Sequence, residues 1–424
     1  MGIAGAAAVL LVSACGGPPR PPGGGGATTT TTSEPAAPST TVATPPTTTA
    51  PPPSTTTVPA STTTTSPPTP GDSIARLTDG DRDSSSPAIS ADGQHVAFWS
   101  FAVNLVPEDG STDEDVFVWD RSTGTTTLVT QDARGGHPSI SGDGRFVAYH
   151  GAATDTVPAD VFRWDRTTGM TTSITEGDAS SLVPALSADG RYVAFESAAS
   201  TLVPDDTNGR SDIFVWDAST GAITRVTDGN DESNWPHISA DGRFVTFQSS
   251  ASDLVPDDTN GVVDVFLWDS ASGAVTRLTD GEGYSASPRI SATGRYVVFN
   301  SITPGETNEG HVYMWDAATG ETRRVSGGPS DAAPDISGDG RYVTYQSYDS
   351  NLVSGDEDGS EDVYLWDAVT GETRRITDGD APSVTPVISA DGGAIAFDSL
   401  ASDIPEGHGD TNGVRDMFLW SRTG

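Results

Sequence analysis

Four stretches of this chain place oxygen side chains at alternate positions ahead of a glycine. They carry Asp206, Asn208 and Asp212; Asp258, Asn260 and Asp264; Asp356, Asp358 and Asp362; and Asp410, Asn412 and Asp416, each in the pattern Asp-x-[Asp/Asn]-Gly-x-x-Asp. Oxygen ligands converging on a glycine turn suit a calcium ion. These stretches are shorter than the calcium loops of helix–loop–helix proteins and lack their closing glutamate. The same residues also build a turn in which Asp and Asn bond the backbone and Gly takes a positive φ. Weak calcium loops and structural turns are therefore both open, and no other cofactor is expected.

A second set of polar residues lies in a recurring Pro-x-[Ile/Leu]-Ser segment. The x position varies from copy to copy, as Ala88, Ser139, Ala185, His237, Arg289, Asp335 and Val387. His237, Arg289 and Asp335 come from consecutive copies and would hold a small anionic ligand if they faced one space. The competing reading is an ion pair between Arg289 and Asp335 that neutralises buried charge. Trp235 and Tyr284 fall outside the recurring aromatic positions, in segments expected to be loops, where an aromatic suggests a contact surface.

Catalytic chemistry finds little to work with. There is no Gly-x-Ser-x-Gly elbow, and His95, His137, His150, His237, His311 and His408 show no metal-ligand spacing. No glycine-rich phosphate loop opens a helix. With one cysteine in 424 residues, disulfides and thiolate metal sites are excluded.

These residues are positioned by a repeat. Seven copies fill the chain from about residue 74, each with a Ser-x-[Asp/Thr]-Gly turn, at Asp92, Asp143, Asp189, Asp241, Thr293, Asp339 and Asp391. Each copy also has a tryptophan, at Trp119, Trp164, Trp216, Trp268, Trp315, Trp366 and Trp420. A fixed period of this length means supersecondary units that bury their faces on one another. In the third copy the expected strands are Pro184–Ser187, Tyr192–Ser197, Asp212–Asp217 and Ile223–Thr227. In Asp212–Asp217 (DIFVWD) both faces are apolar, so each small sheet must be covered on both sides. Four-stranded antiparallel sheets stacked around an axis meet that need, giving an all-β, seven-bladed β-propeller over residues 73–424. The chain ends after the third strand of copy seven. Ile74-Ala-Arg-Leu-Thr-Asp-Gly80 matches the fourth strands of other copies, such as Ile223-Thr-Arg-Val-Thr-Asp-Gly229. Residues 74–79 are therefore expected to close the ring against Asp416–Trp420 and remove its free edges. Strand direction sends the long acidic loops and the blade-to-blade loops to one face, the expected working face.

The front of the chain differs. Residues 1–15 form an apolar run ending Val12-Ser13-Ala14-Cys15, which resembles the lipobox of bacterial lipoproteins. That resemblance implies lipidation at Cys15 and anchorage at the outer face of the cytoplasmic membrane. No Lys or Arg precedes the run, which points to a start upstream of Met1. Residues 16–72 hold half of the 30 prolines among Gly, Thr, Ser and Ala, and cannot bury enough surface to fold. They read as an extended linker or a glycosylated stalk. Net charge is −37, with no lysine, so nucleic acid and anionic headgroups are poor partners for this surface.

The core Ser-x-Asp-Gly-Arg-[Tyr/Phe]-Val-[Ala/Thr/Val]-[Phe/Tyr], as at Ser187–Phe195, Ser239–Phe247 and Ser337–Tyr345, resembles the TolB-type propeller repeat. The TolB family implies a periplasmic propeller that binds a peptidoglycan-associated lipoprotein. It also has an N-terminal α/β domain and six blades, so the Tol partner does not transfer. Similar repeats form the gating propeller of prolyl oligopeptidases, whose hydrolase domain has no counterpart here. The expected function is a surface-anchored, monomeric binding scaffold for a cell-envelope protein or glycan. The alternative is a lyase, lactonase or glycosidase acting at the channel mouth.

Overall fold

The computed structural model describes residues 72–130, 134–154, 156–302, 310–328, 331–356, 359–404 and 410–422. Cys15, the linker and Asp358 lie outside them. Seven four-stranded antiparallel sheets make up the described chain. The third is typical, with strands Ser181–Leu186, Tyr192–Ser197, Asp212–Asp217 and Ala222–Arg225. The last sheet is completed from the front of the chain. Ser73–Arg76 lies antiparallel to Asp416–Ser421, with Ile74 opposite Trp420 and Arg76 opposite Phe418.

Each blade repeats the same packing. An aromatic pair stacks between the second and third strands, as Phe195 on Phe214 at 5.7 Å and Phe247 on Phe266 at 5.6 Å. The Ser-x-Asp-Gly turn ties itself: Ser187 Oγ donates to Asp189 at 2.7 Å and accepts the Tyr192 N–H at 2.9 Å. Gly190 has φ +68°, and a Cβ there would sit 2.3 Å from the Phe146 ring of the preceding blade. Glycine is required at that position both by conformation and by space.

The turns also join the blades. The Ala91 N–H donates to the Gly142 carbonyl, Gly142 to Ala188, Ala188 to Ala240, Ala240 to Ala292, Ala292 to Gly338, Gly338 to Ala390, and Ala390 back to Ala91, at 2.9–3.1 Å. This closed belt runs around the turn side of the central channel. Only small side chains fit: a Cβ on Gly142 would stand 3.1 Å from that of Ala188 and 3.4 Å from that of Ala91.

The first strand of each blade begins earlier than the sequence suggests, at Ser181 rather than Pro184 in blade three. The cause is a bulge. Register shifts between Leu182 and Ala185, and at the matching place in every other blade. The residue before the proline is left-handed in all seven: Ser86, His137, Val183, Trp235, Ser287, Ala333 and Thr385 have φ of 44–54°. Proline lacks an N–H, so it is tolerated where a bulge takes it out of the ladder.

Candidate functional site

The seven left-handed residues and the seven that follow the prolines line the central channel, a cavity of about 450 Å³. The left-handed ring forms its mouth, on the side of the acidic loops. Non-glycine residues in this conformation cost about 1–3 kcal/mol each, and β-branched Val183 and Thr385 are the more strained. Neighbouring blades hold them in place. Glu196 accepts the Trp235 N–H at 2.7 Å, Gln248 the Ser287 N–H at 2.9 Å, and Gln346 the Thr385 N–H at 2.6 Å. Asp398 accepts from the Thr385 and Ser85 hydroxyls and pairs with Arg415 at 2.5 Å. Burial raises the Glu196 carboxyl above its ordinary range, and the Trp235 N–H pulls it back.

His237, Arg289 and Asp335 do share the channel wall, but not as an ion-paired set. His237 Nδ1 accepts the Ile290 N–H at 3.2 Å, and Asp335 Oδ2 accepts the Ile388 N–H at 2.8 Å. Each links its blade to the next, as Ser139 does by accepting the Leu186 N–H at 3.0 Å. Both are structural brackets. The expected Arg289–Asp335 ion pair is absent, because the Asp335 carboxylate is turned to the backbone of blade seven. Arg289 itself has no hydrogen-bond or ion-pair partner among the described residues. Its charge still reaches its neighbours. Burial and then Arg289 push the His237 imidazole down to about 3, and the same two causes lower His137. Burial raises the Asp335 carboxyl, which Arg289 partly offsets.

Trp235 is not in a loop. It occupies the bulge of the strand Ser233–Ile238, at the mouth. Its ring meets His137 edge-on at 5.9 Å, and His137 stacks on His150 at 5.4 Å. Burial, then the charge of His137, push His150 down to about 4. The six histidines show no useful spacing in the chain, so this aromatic group is visible only in three dimensions. Tyr284 is exposed, as expected of a contact residue.

Neutral His237 has a measurable consequence. Its folded-state pKa lies below the unfolded value, so acid favours the unfolded chain from about pH 6.5 down to about 3. His237→Asn keeps an acceptor for Ile290 and removes the titration. We expect thermal melts of this variant to lose less stability than the wild type between pH 7 and pH 4, by about 1.4 kcal/mol per pH unit at most. Parallel acid limbs in the two proteins would refute this.

The four acidic loops are filled from within. Arg225 of the fourth strand contacts Asp212 at 2.6 Å, Asp228 at 2.9 Å and Asp206 at 3.4 Å. Asn208 donates to Asp212 at 2.9 Å and to the Gly229 carbonyl at 3.0 Å. Arg277 does the same for Asp258 and Asp264, with Asn260 donating to Asp264. Arg375 spans Asp356 and Asp362, and Arg76 spans Asp410 and Asp416 beside Asn412. A guanidinium thus sits in each of these loops beside its aspartates. The arginine is not part of the motif because it lies thirteen residues beyond the last aspartate and is brought back by the hairpin pairing of Phe214 with Arg225.

No family model matches the chain. An uncharacterised protein of Agrobacterium fabrum is 30% identical over 192 residues, 45% of this chain and 62% of that protein. The Tol-Pal system protein TolB of Francisella tularensis is 26% identical over 91 residues, 22% of this chain and 19% of TolB. The chain is a seven-bladed β-propeller with a stretch similar to TolB. It spans less than two thirds of each of these two relatives. Among solved structures, an oligogalacturonate lyase in complex with manganese superimposes with a TM-score of 0.59 at 16% identity, over 82% of this chain and 93% of the lyase. That likeness is one of fold.

Proposed function

We propose that this TolB-like propeller is an extracytoplasmic binding scaffold that takes an anionic group of an envelope protein or glycan into its channel. The observation that carries this reading is Arg289, an unpartnered guanidinium inside a channel of a chain whose net charge is −37. A guanidinium in a partly enclosed channel is less screened than one on the surface, and it favours a carboxylate or sulfate there. Above it, Trp235 and the neutral His137–His150 pair offer ring faces for a sugar or an aliphatic stem. His237 and Asp335 orient the wall and are not free to act as base or acid. Lipidation at Cys15 and the Pro/Thr-rich linker would hold the mouth away from the membrane.

The test is direct binding of acidic and neutral oligosaccharides, and of acidic peptides, to the wild type and to Arg289→Met. At least one acidic ligand should bind, its neutral counterpart should not, and Arg289→Met should weaken it tenfold or more. Equal binding by both proteins sinks the channel reading. If an acidic ligand is consumed rather than held, the enzymatic alternative replaces it.

A further inference from the structure

Blade one breaks the arginine rule. Its hairpin pairs Phe117 with Leu128, as blade three pairs Phe214 with Arg225, so Leu128 stands where the arginine should be. The acids remain. Asp109 and Asp115 keep the spacing of Asp206 and Asp212, with Ser111 in the place of Asn208. Asp115 is only 5% exposed. Its Oδ1 accepts the Thr130 hydroxyl at 2.6 Å, as Asp212 accepts that of Thr227 at 2.7 Å. Among the described residues its Oδ2 has no hydrogen-bond partner, whereas the matching oxygen of Asp212 meets both Arg225 and Asn208. Asp109, 9% exposed, accepts the Ser111 N–H at 3.0 Å. Asp109, Ser111, Asp113 and Asp115 line one cleft of about 590 Å³. The nearby Arg134 is drawn to the rim by Asp113 at 2.7 Å and is 39% exposed.

We propose that this cleft is a divalent-cation site of the oxygen-preferring class, calcium above all, held by Asp109, Asp115 and the Ser111 hydroxyl. A buried carboxylate oxygen without a partner is costly, and a hard cation supplies the positive charge that arginine supplies in four other blades. Calcium accepts carboxylates, hydroxyl and carbonyl oxygens and water in a flexible shell. Among the described residues no three His, Cys, Asp or Glu side chains already converge for a metal. Two carboxylates completed by neutral oxygens and water match the weak, extracellular range, about 10⁻⁴–10⁻³ M.

The experiment is calorimetric titration of calcium, with magnesium as comparison, into the chelator-treated full chain, alongside thermal melting. One site in that range is expected, with a melting temperature that rises with calcium. Leu128→Arg restores the guanidinium and should abolish both responses. Asp109→Asn, which keeps the shape of the loop, should weaken binding at least tenfold even if Leu128→Arg proves unstable. No heat and no shift up to about ten times the weaker limit of that range would overturn the proposal. So would unchanged binding in both variants, or stabilisation by arginine-bearing peptides in place of calcium.

Discussion

A chain lacking residues 73–79 should lose at least about 5 kcal/mol of stability and begin to self-associate. The deleted segment closes the ring, and its loss bares the Asp416–Ser421 strand as an edge open to pairing. It also removes the cationic partner of a fully buried carboxylate. Thr78 donates to Asp416 at 2.6 Å and Arg76 pairs with it at 2.6 Å, so Asp416 would keep Asn412 but lose its counter-charge. Stranding one member of a buried pair costs about 3–5 kcal/mol. Ile74 and the buried Leu77, both packed on core clusters, add about 1.5–3 kcal/mol for each side chain fully buried. Urea melts and sedimentation velocity would measure both effects. Deletion of residues 18–70, whose composition is that of a linker, is the matched control and should leave the melt unchanged.

Arg225→Met should be the most damaging single change outside the core, at about 3–5 kcal/mol. Its side chain is 10% exposed, and the Asp206 and Asp212 side chains it holds are 2% and 0% exposed. Adding Asp206→Asn and Asp212→Asn to that variant should recover most of the loss, because the stranded charge rather than the missing contact is what destabilises. Arg191→Met offers the contrast. Its pair with Asp217 at 2.8 Å joins a side chain 44% exposed to one 20% exposed, so a loss of about 0–1 kcal/mol is expected. Chemical denaturation of the set would decide it: a loss at Arg225 no larger than that at Arg191 would mean that these loops are not charge-locked.

The blades were legible because each carries its own punctuation. Ser-x-Asp-Gly fixes one turn and Trp-Asp precedes another, so even the completion of the last sheet from Ile74 could be read by matching strands. The mouth was not legible, for a physical reason. A left-handed residue is usually betrayed by glycine, yet here the position holds Ser, His, Val, Trp, Ala or Thr, and the bulge is set by the proline after it and by acceptors from the preceding blade. Glu196 and Gln248 look like ordinary half-exposed strand residues until the neighbouring backbone N–H is in view. The ring of His237, Arg289 and Asp335 was found from its variability alone. Which of them is free depended on hydrogen bonds to Ile290 and Ile388 that no spacing reports. The acidic loops stayed open between two readings for the opposite reason, because a motif complete in itself hid the arginine beside it.

The belt of alanines and glycines ties the seven blades through backbone alone. Each member donates one N–H and accepts one at its carbonyl, so the bonds form a cycle with no first or last member. Opening any one seam leaves the other bonds of the cycle in place, and the ring behaves as a hoop rather than as a stack. The same closure makes crowding non-local. A bulky side chain in place of Gly142 would press on Ala188 on one side and Ala91 on the other, straining two seams at once.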